Sequence, residues 1–134
     1  MKIEWRSKYQ IGIEAIDNQH KYFLELISRI NEQLYLSPDA ETIKRFMNEL
    51  IKYAEFHFCS EENIMYFEKY PGLKIHHNLH SEILTQLHER MIFSDIALDL
   101  ESMKLLVQFL IDWFSKHTIE EDKAFADFLK NKEV

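Results

Sequence analysis

The sequence predicts an all-α protein: an up-down-up-down antiparallel four-helix bundle with an extended N-terminal arm. Three observations predict it. The 134 residues hold only two glycines and two prolines, too few turn formers for a chain of many short strands. Helix formers such as Leu, Glu and Lys abound, and apolar residues recur at three- and four-residue steps through most of the chain. Breaks at Ser37-Pro38-Asp39, at Pro71-Gly72 and from Ser94 to Leu98 leave four long segments. Such short connections set consecutive helices side by side in opposite directions. A chain of this size folds as one domain, residues 1–134, and buries a core without disulfides.

The elements follow in order. In the arm, 1–16, Trp5, Tyr9, Ile11, Ile13 and Ile16 alternate loosely around Gly12 and lie across the bundle. Asp17 reads as the N-cap of a first helix, about 17–36, with His20, Phe23, Leu24, Ile27, Ile30 and Leu34 on one stripe. Ser37 reads as the next cap and Pro38 as the first residue of a second helix, about 38–69. Its stripe is Ile43, Phe46, Met47, Leu50, Tyr53, His57, Glu61 and Ile64. Pro71-Gly72 closes it and begins a third helix, about 73–92, with Leu73, His76, His80, Ile83, Leu84, Leu87 and Met91 in step. Asp99 is a candidate cap for the fourth, about 99–130, where Met103, Leu106, Leu110, Trp113 and His117 align. There the phase slips, and Asp122, Phe125 and Leu129 continue a stripe displaced by one residue. Five residues at about 100° each would leave His117 and Asp122 about 140° apart on a regular helix. A π-type bulge or a local break between them is therefore expected, turning both inward.

Charge and composition exclude several classes. A formal charge of −7 without a basic run argues against nucleic acid and against anionic membrane surfaces. Cys59 stands alone, which rules out an intrachain disulfide and fits a reducing compartment; it reads as a small buried hydrophobe. No stretch has the length and apolarity of a signal peptide or a membrane span. The expectation is a soluble, cytoplasmic protein.

The chemistry sits in two pairs flanking Pro71-Gly72: His57 with Glu61, and His76 with His80. At i, i+4 spacing each pair stacks on one helix face, so two facing helices aim four donors at one point. One histidine on an apolar stripe is usually a satisfied core residue, and a neighbouring Glu usually a solvated charge. The joint pattern is different, because His20, His57, His76, His80 and His117, with Glu61 and Asp122, take stripe positions on all four helices. Burying each without a partner costs about 1–3 kcal/mol, and seven would consume a typical stability of about 5–15 kcal/mol. A cation satisfies them together. One ion does not need seven protein donors. Two six-coordinate ions sharing both carboxylates and one solvent oxygen use all seven and leave a single position open. His77 and His88 fall off the stripes and are expected to face solvent or lie near the boundary, without a role.

Taken together these residues resemble the hemerythrin family in its single-domain bacterial form. The likeness runs over nearly the whole chain: Trp5 and Gly12-Ile13, then Ile16-Asp17-Asn18-Gln19-His20, then His57-Phe58-Cys59-Ser60-Glu61-Glu62 with Met65. It continues through Tyr70-Pro71, His76 and His80, and Trp113, His117 and Asp122. The resemblance implies a non-haem site of two iron ions, oxo- or hydroxo-bridged, that binds dioxygen reversibly. By position His76, His80 and His117 would hold one iron, His20 and His57 the other, and Glu61 and Asp122 would bridge them. The two-histidine iron would keep the open position. Phe23, Leu24, Trp113 and Phe114 are candidates for the dry wall around it. One residue departs from the family, which commonly has Ile where this chain has Thr118. A hydroxyl there would admit water or donate a hydrogen bond and hasten oxidation of the site; the alternative is a bond to a helix carbonyl one turn back.

The leading function is then oxygen transport, storage or delivery to an oxygen-using enzyme, by a binding protein without turnover. Sensing of oxygen, redox state or nitric oxide is one alternative, for which a joined output module would be expected. Reduction of nitric oxide or peroxide at the same site is the enzymatic rival. Ferritin-like oxidases fit less well, since they take more carboxylates from Glu-x-x-His pairs.

Overall fold

The computed structural model describes residues 3–36, 39–96 and 100–132, with the side chains of all but 92–96. Its helices are α1 (Glu14–Leu36), α2 (Ala40–Phe67), α3 (Leu73–Ile96) and α4 (Leu100–His117). A π-helical turn, Thr118–Asp122, joins α4 to α5 (Lys123–Lys132). There is no strand among the described residues. Helix α1 packs on α2 and α4, and α3 packs on α2 and α4, which closes a four-helix bundle. The His20 ring near the start of α1 meets His57 near the end of α2, and His80 near the start of α3 meets His117 at the end of α4. Only antiparallel neighbours bring those ends together.

The core has two apolar parts with a polar layer between them. The larger gathers Phe23, Ile27, Leu50, Phe58, Leu87, Leu110 and Phe114 with their neighbours. The smaller holds Ile11, Ile16, Met65, Phe125 and Ala126. Each chain segment crosses the layer in its own direction: Ile16, His20, Phe23 on α1, and Phe58, Glu61, Met65 on α2. The arm lies along both parts, with Ile3, Trp5 and Tyr9 on the larger and Ile11 and Ile13 on the smaller. Its Ser7–Tyr9 segment is a 3-10 turn, the Tyr9 hydroxyl is 3.1 Å from Ser115 Oγ, and the Tyr9 ring meets Phe114 edge-on at 5.3 Å.

Several helix ends differ from expectation. Asp17 is not an N-cap, because α1 begins at Glu14 and the Asp17 N–H donates to the Ile13 carbonyl at 2.8 Å. Its carboxylate turns back to accept from the N–H groups of Ile11 (2.9 Å) and Gly12 (3.0 Å). That clasp holds the turn where Gly12 takes φ +91°. Helix α2 is capped by Asp39, which accepts from Glu41 N–H at 2.9 Å, rather than by the expected Ser37. Ser37 and Pro38 themselves lie outside the described residues, as do 97–99 with the candidate cap Asp99. Residues 94–96, expected to be loose, complete α3. On α2 the fully buried set includes Ile51, Ala54 and Phe58, while Phe46 and Tyr53 are only half-buried. Cys59, expected inside, is exposed.

Helix α2 stops before the proline. Tyr70 N–H donates to Met65 O (2.9 Å) and Lys69 N–H to Tyr66 O (3.1 Å), the paired bonds of a Schellman ending. This ending needs a left-handed residue, and Lys69 supplies it at φ +57°.

Candidate metal centre

All seven predicted donors occupy the polar layer and are buried: His20, His57, Glu61, His76, His80, His117 and Asp122. Helix α1 brings His20, α2 brings His57 and Glu61, α3 brings His76 and His80, and the end of α4 brings His117. The π turn accounts for Asp122. The expected bulge is present over Thr118–Asp122, so the carboxylate faces inward beside His117 instead of about 140° away.

The atoms form two groups. Glu61, His76, His80, His117 and Asp122 each offer a donor within 4.8 Å of the others, and His20, His57 and Glu61 do the same. Every histidine presents Nε2. On one side His76 Nε2 is next to Glu61 Oε1 and 3.0 Å from Asp122 Oδ1, and His80 Nε2 is 3.4 Å from Glu61 Oε1. His117 Nε2 is 3.1 Å from Asp122 Oδ1 and 3.1 Å from His80 Nε2. On the other side His20 Nε2 is 3.1 Å from Asp122 Oδ2 and 3.7 Å from Glu61 Oε2, and His57 Nε2 is 3.4 Å from Glu61 Oε2. Each carboxylate thus divides its two oxygens between a three-histidine group and a two-histidine group.

Some of these contacts are hydrogen bonds, His76 Nε2 with Glu61 Oε1 and His80 Nε2 with His117 Nε2, but not all of them. Both Asp122 oxygens and Glu61 Oε2 are buried without a hydrogen-bond partner among the described residues. Electrostatics compensates in part. Burial opposes a charged His20, yet Asp122 and Glu61 prevail and raise its pKa to about 9. His76 is raised to about 9 in the same way, burial being outweighed by Asp122 and Glu61. Burial dominates at His57 and lowers it to about 4. Burial and the charge of Asp122 push Glu61 up, but His20, His76 and His80 pull it down to about 2. Asp122 falls well below the usual carboxylate range, burial being overcome by His117, His20 and His76.

A surrounding set of contacts orients the rings, and sequence reasoning gave most of these residues no role. Gln19 Oε1 is 2.7 Å from His57 Nδ1, while its amide nitrogen donates to Ser60 Oγ at 3.1 Å. Glu62 Oε2 is 2.9 Å from His80 Nδ1, and its other oxygen pairs with His77. Phe58 stacks on His80 at 3.9 Å and Trp113 on His117 at 4.6 Å. The available signal was adjacency: Gln19, Phe58 and Glu62 each follow or precede a donor by one residue, at the edge of the inward stripe. His77 and His88 are exposed, as expected.

A cavity of about 10 Å³ opens beside the two-histidine group, lined by Phe23, Phe58, Trp113, Phe114 and Thr118 as well as His20, His57 and His117. Leu24, a predicted wall residue, does not line it and packs in the larger core. Thr118 is 1% exposed, and its hydroxyl has no hydrogen-bond partner among the described residues. The alternative that it bonds a helix carbonyl is thereby overturned. No helix among the described residues is long and apolar enough to cross a membrane.

A family model described as the hemerythrin HHE cation binding domain matches residues 11–129, a span that includes all seven candidate donors. The chain is 27% identical over 127 residues to a bacteriohemerythrin from Clostridium acetobutylicum, covering 92% of this chain and 98% of the relative. It is 28% identical over 130 residues to a bacteriohemerythrin from Stenotrophomonas maltophilia, covering 94% and 80%. A myohemerythrin from Theromyzon tessulatum is 25% identical over 84 residues, covering 63% and 64%. With a match across nearly all of a helical bundle whose core holds this histidine and carboxylate cluster, the chain belongs to the hemerythrin family.

Proposed function

We propose that the polar layer holds two iron ions and that the protein binds dioxygen reversibly, as a carrier or store that releases it within the cell. In this reading His76, His80 and His117 hold one ion, His20 and His57 hold the other, and Glu61 and Asp122 bridge. The observation that carries it is the division of both carboxylates, one oxygen to each histidine group. Two donors at right angles on an ion with bonds of about 2.1 Å stand about 3 Å apart, and the contacts around Asp122 of 3.0 to 3.1 Å have that spacing. The unpartnered oxygens of Asp122 and Glu61 fit the same group, since a cation satisfies lone pairs that no donor reaches. A histidine-rich set with two carboxylates accepts several divalent metals, iron among them.

When bound, a ferrous pair supplies the two electrons that reversible dioxygen binding requires. The chain's own residues do the rest. Gln19 and Glu62 fix the Nδ1 side of His57 and His80, leaving Nε2 free to point at the centre. Phe23, Phe58 and Phe114 exclude bulk water from the cavity beside His20 and His57, where room remains for one small molecule. Two relatives named bacteriohemerythrin support the same reading.

The test is anaerobic loading with ferrous iron, followed by exposure to air and then to vacuum. Two irons per chain and a visible charge-transfer band that appears in air and bleaches as oxygen pressure falls are expected. A colourless or irreversibly oxidised product overturns the proposal. Recovery of the oxygen intact separates a carrier from a reductase of nitric oxide or peroxide, which would consume its ligand.

A further inference from the structure

We infer that the Thr118 hydroxyl is the hydrogen-bond donor of the ligand cavity: it holds one ordered water in the resting protein and donates to the outer atom of a small anionic ligand. This deepens the proposed function and rests on it for the ligand's attachment. The observation behind it is an imbalance. Thr118 is almost wholly buried, yet its Oγ1 pairs with nothing among the described residues. A helical Thr ordinarily satisfies its hydroxyl on the carbonyl one turn back, and here it does not.

Thr118 belongs to the lining of the cavity that also includes His20 and His57. Among the lining side chains it is the neutral hydroxyl, set against the rings of Phe23, Phe58 and Phe114. The cavity volume, about 10 Å³, corresponds to a single water-sized occupant. A buried O–H facing such a space is unsatisfied when the space is empty and satisfied when an acceptor enters. It therefore favours ligands that carry negative charge on the atom farthest from their attachment, and disfavours purely apolar ones of the same size. Neutral Thr118 adds this preference without adding a proton-transfer group.

Three measurements on the full chain test it. In crystals of the metal-free protein an ordered water should lie within hydrogen-bond distance of Thr118 Oγ1 and be lost in Thr118→Val; a dry cavity or a water that persists in the variant overturns the proposal. Metal-free Thr118→Val, nearly isosteric, should melt at or above the wild-type midpoint, whereas a fall of several degrees would mean the fold itself satisfies the hydroxyl. With iron oxidised to the ferric state and azide as the probe, Thr118→Val should bind about 10-fold more weakly, and Thr118→Ser within about 3-fold of wild type. Equal azide affinity in Thr118→Val and wild type, with two irons per chain in both, overturns the role of Thr118 and leaves the di-iron site standing. Failure of the wild type to take up iron instead overturns the site, and the water and melting measurements still decide the hydroxyl.

Discussion

At the residue scale, the protons on His20 and His76 set how the centre responds to pH. Both hold a proton up to about pH 9 in the metal-free protein, because Asp122 and Glu61 face them. A metal must displace those protons, so loading near pH 7 should release about two protons per chain, and apparent affinity should climb from pH 7 to 9. Proton release followed with an indicator dye checks this, and no release would contradict it. The same groups shape metal-free stability. A raised histidine pKa stabilises fully below the unfolded value of 6.5 and loses its contribution as pH rises through about 9. The lowered pKa of Glu61 contributes above 4.5 and is lost as pH falls through about 2, and that of His57 contributes above 6.5 and is lost through about 4. Thermal melts of the metal-free protein should therefore peak between about pH 6 and 7 and decline on both sides. Farther out, Glu62 orients His80 through its Nδ1. Glu62→Ala should keep the helical fold and weaken metal binding by about 10- to 100-fold, read by competition with a chelator.

At the element scale, the end of α2 contains a correctable strain. Lys69 occupies the left-handed position of the Schellman ending at φ +57°, where a Cβ costs about 1 kcal/mol. Lys69→Gly should raise stability by about 0.5–1 kcal/mol in chemical denaturation, with no change in metal content. Nearby, Gly72 answers a different need. A Cβ there would stand 2.8 Å from the Tyr70 ring, which is itself packed against Phe125 and Phe128. Gly72→Ala should destabilise by about 1–3 kcal/mol through overpacking, measurable in the same titration. The π turn is the third element-scale feature. It was legible because the stripe slipped by one residue between His117 and Asp122, and a bulge is the local way to keep both inside. The cap of α1 was misread for a tertiary reason: Asp17 is drawn to the N–H groups of Ile11 and Gly12 in the arm.

At the scale of the whole molecule, a polar layer interrupts the apolar core, and all four helices of the bundle close on it. Binding there ties those helices together, so metal should act on global stability. A metal held at about 1,000 times its dissociation constant adds about 4 kcal/mol. The melting midpoint should rise by about 10–20 °C on loading and return after chelation. An unchanged midpoint would mean that the layer does not bind the metal tested. The arm adds its own cover at this scale, through Tyr9 on Ser115 and Phe114 and through Ile11 on the smaller apolar cluster.

The sequence by itself determined the helix class, the four-segment order, the seven candidate donors on inward stripes and the break in phase before Asp122. These are periodic properties, and periodicity is written along one dimension. Only the tertiary structure decided which oxygen of Glu61 and Asp122 faces which histidines, that Gln19 and Glu62 hold rings of other helices, and that Thr118 is left without a partner. The wall of the cavity belongs with these, since Phe58 replaces Leu24 in it once α1, α2 and α4 have taken their rotations. The physical reason is common to all of them: spacing fixes the face on which a side chain lies, but its contact atoms depend on how far each helix turns against its neighbours.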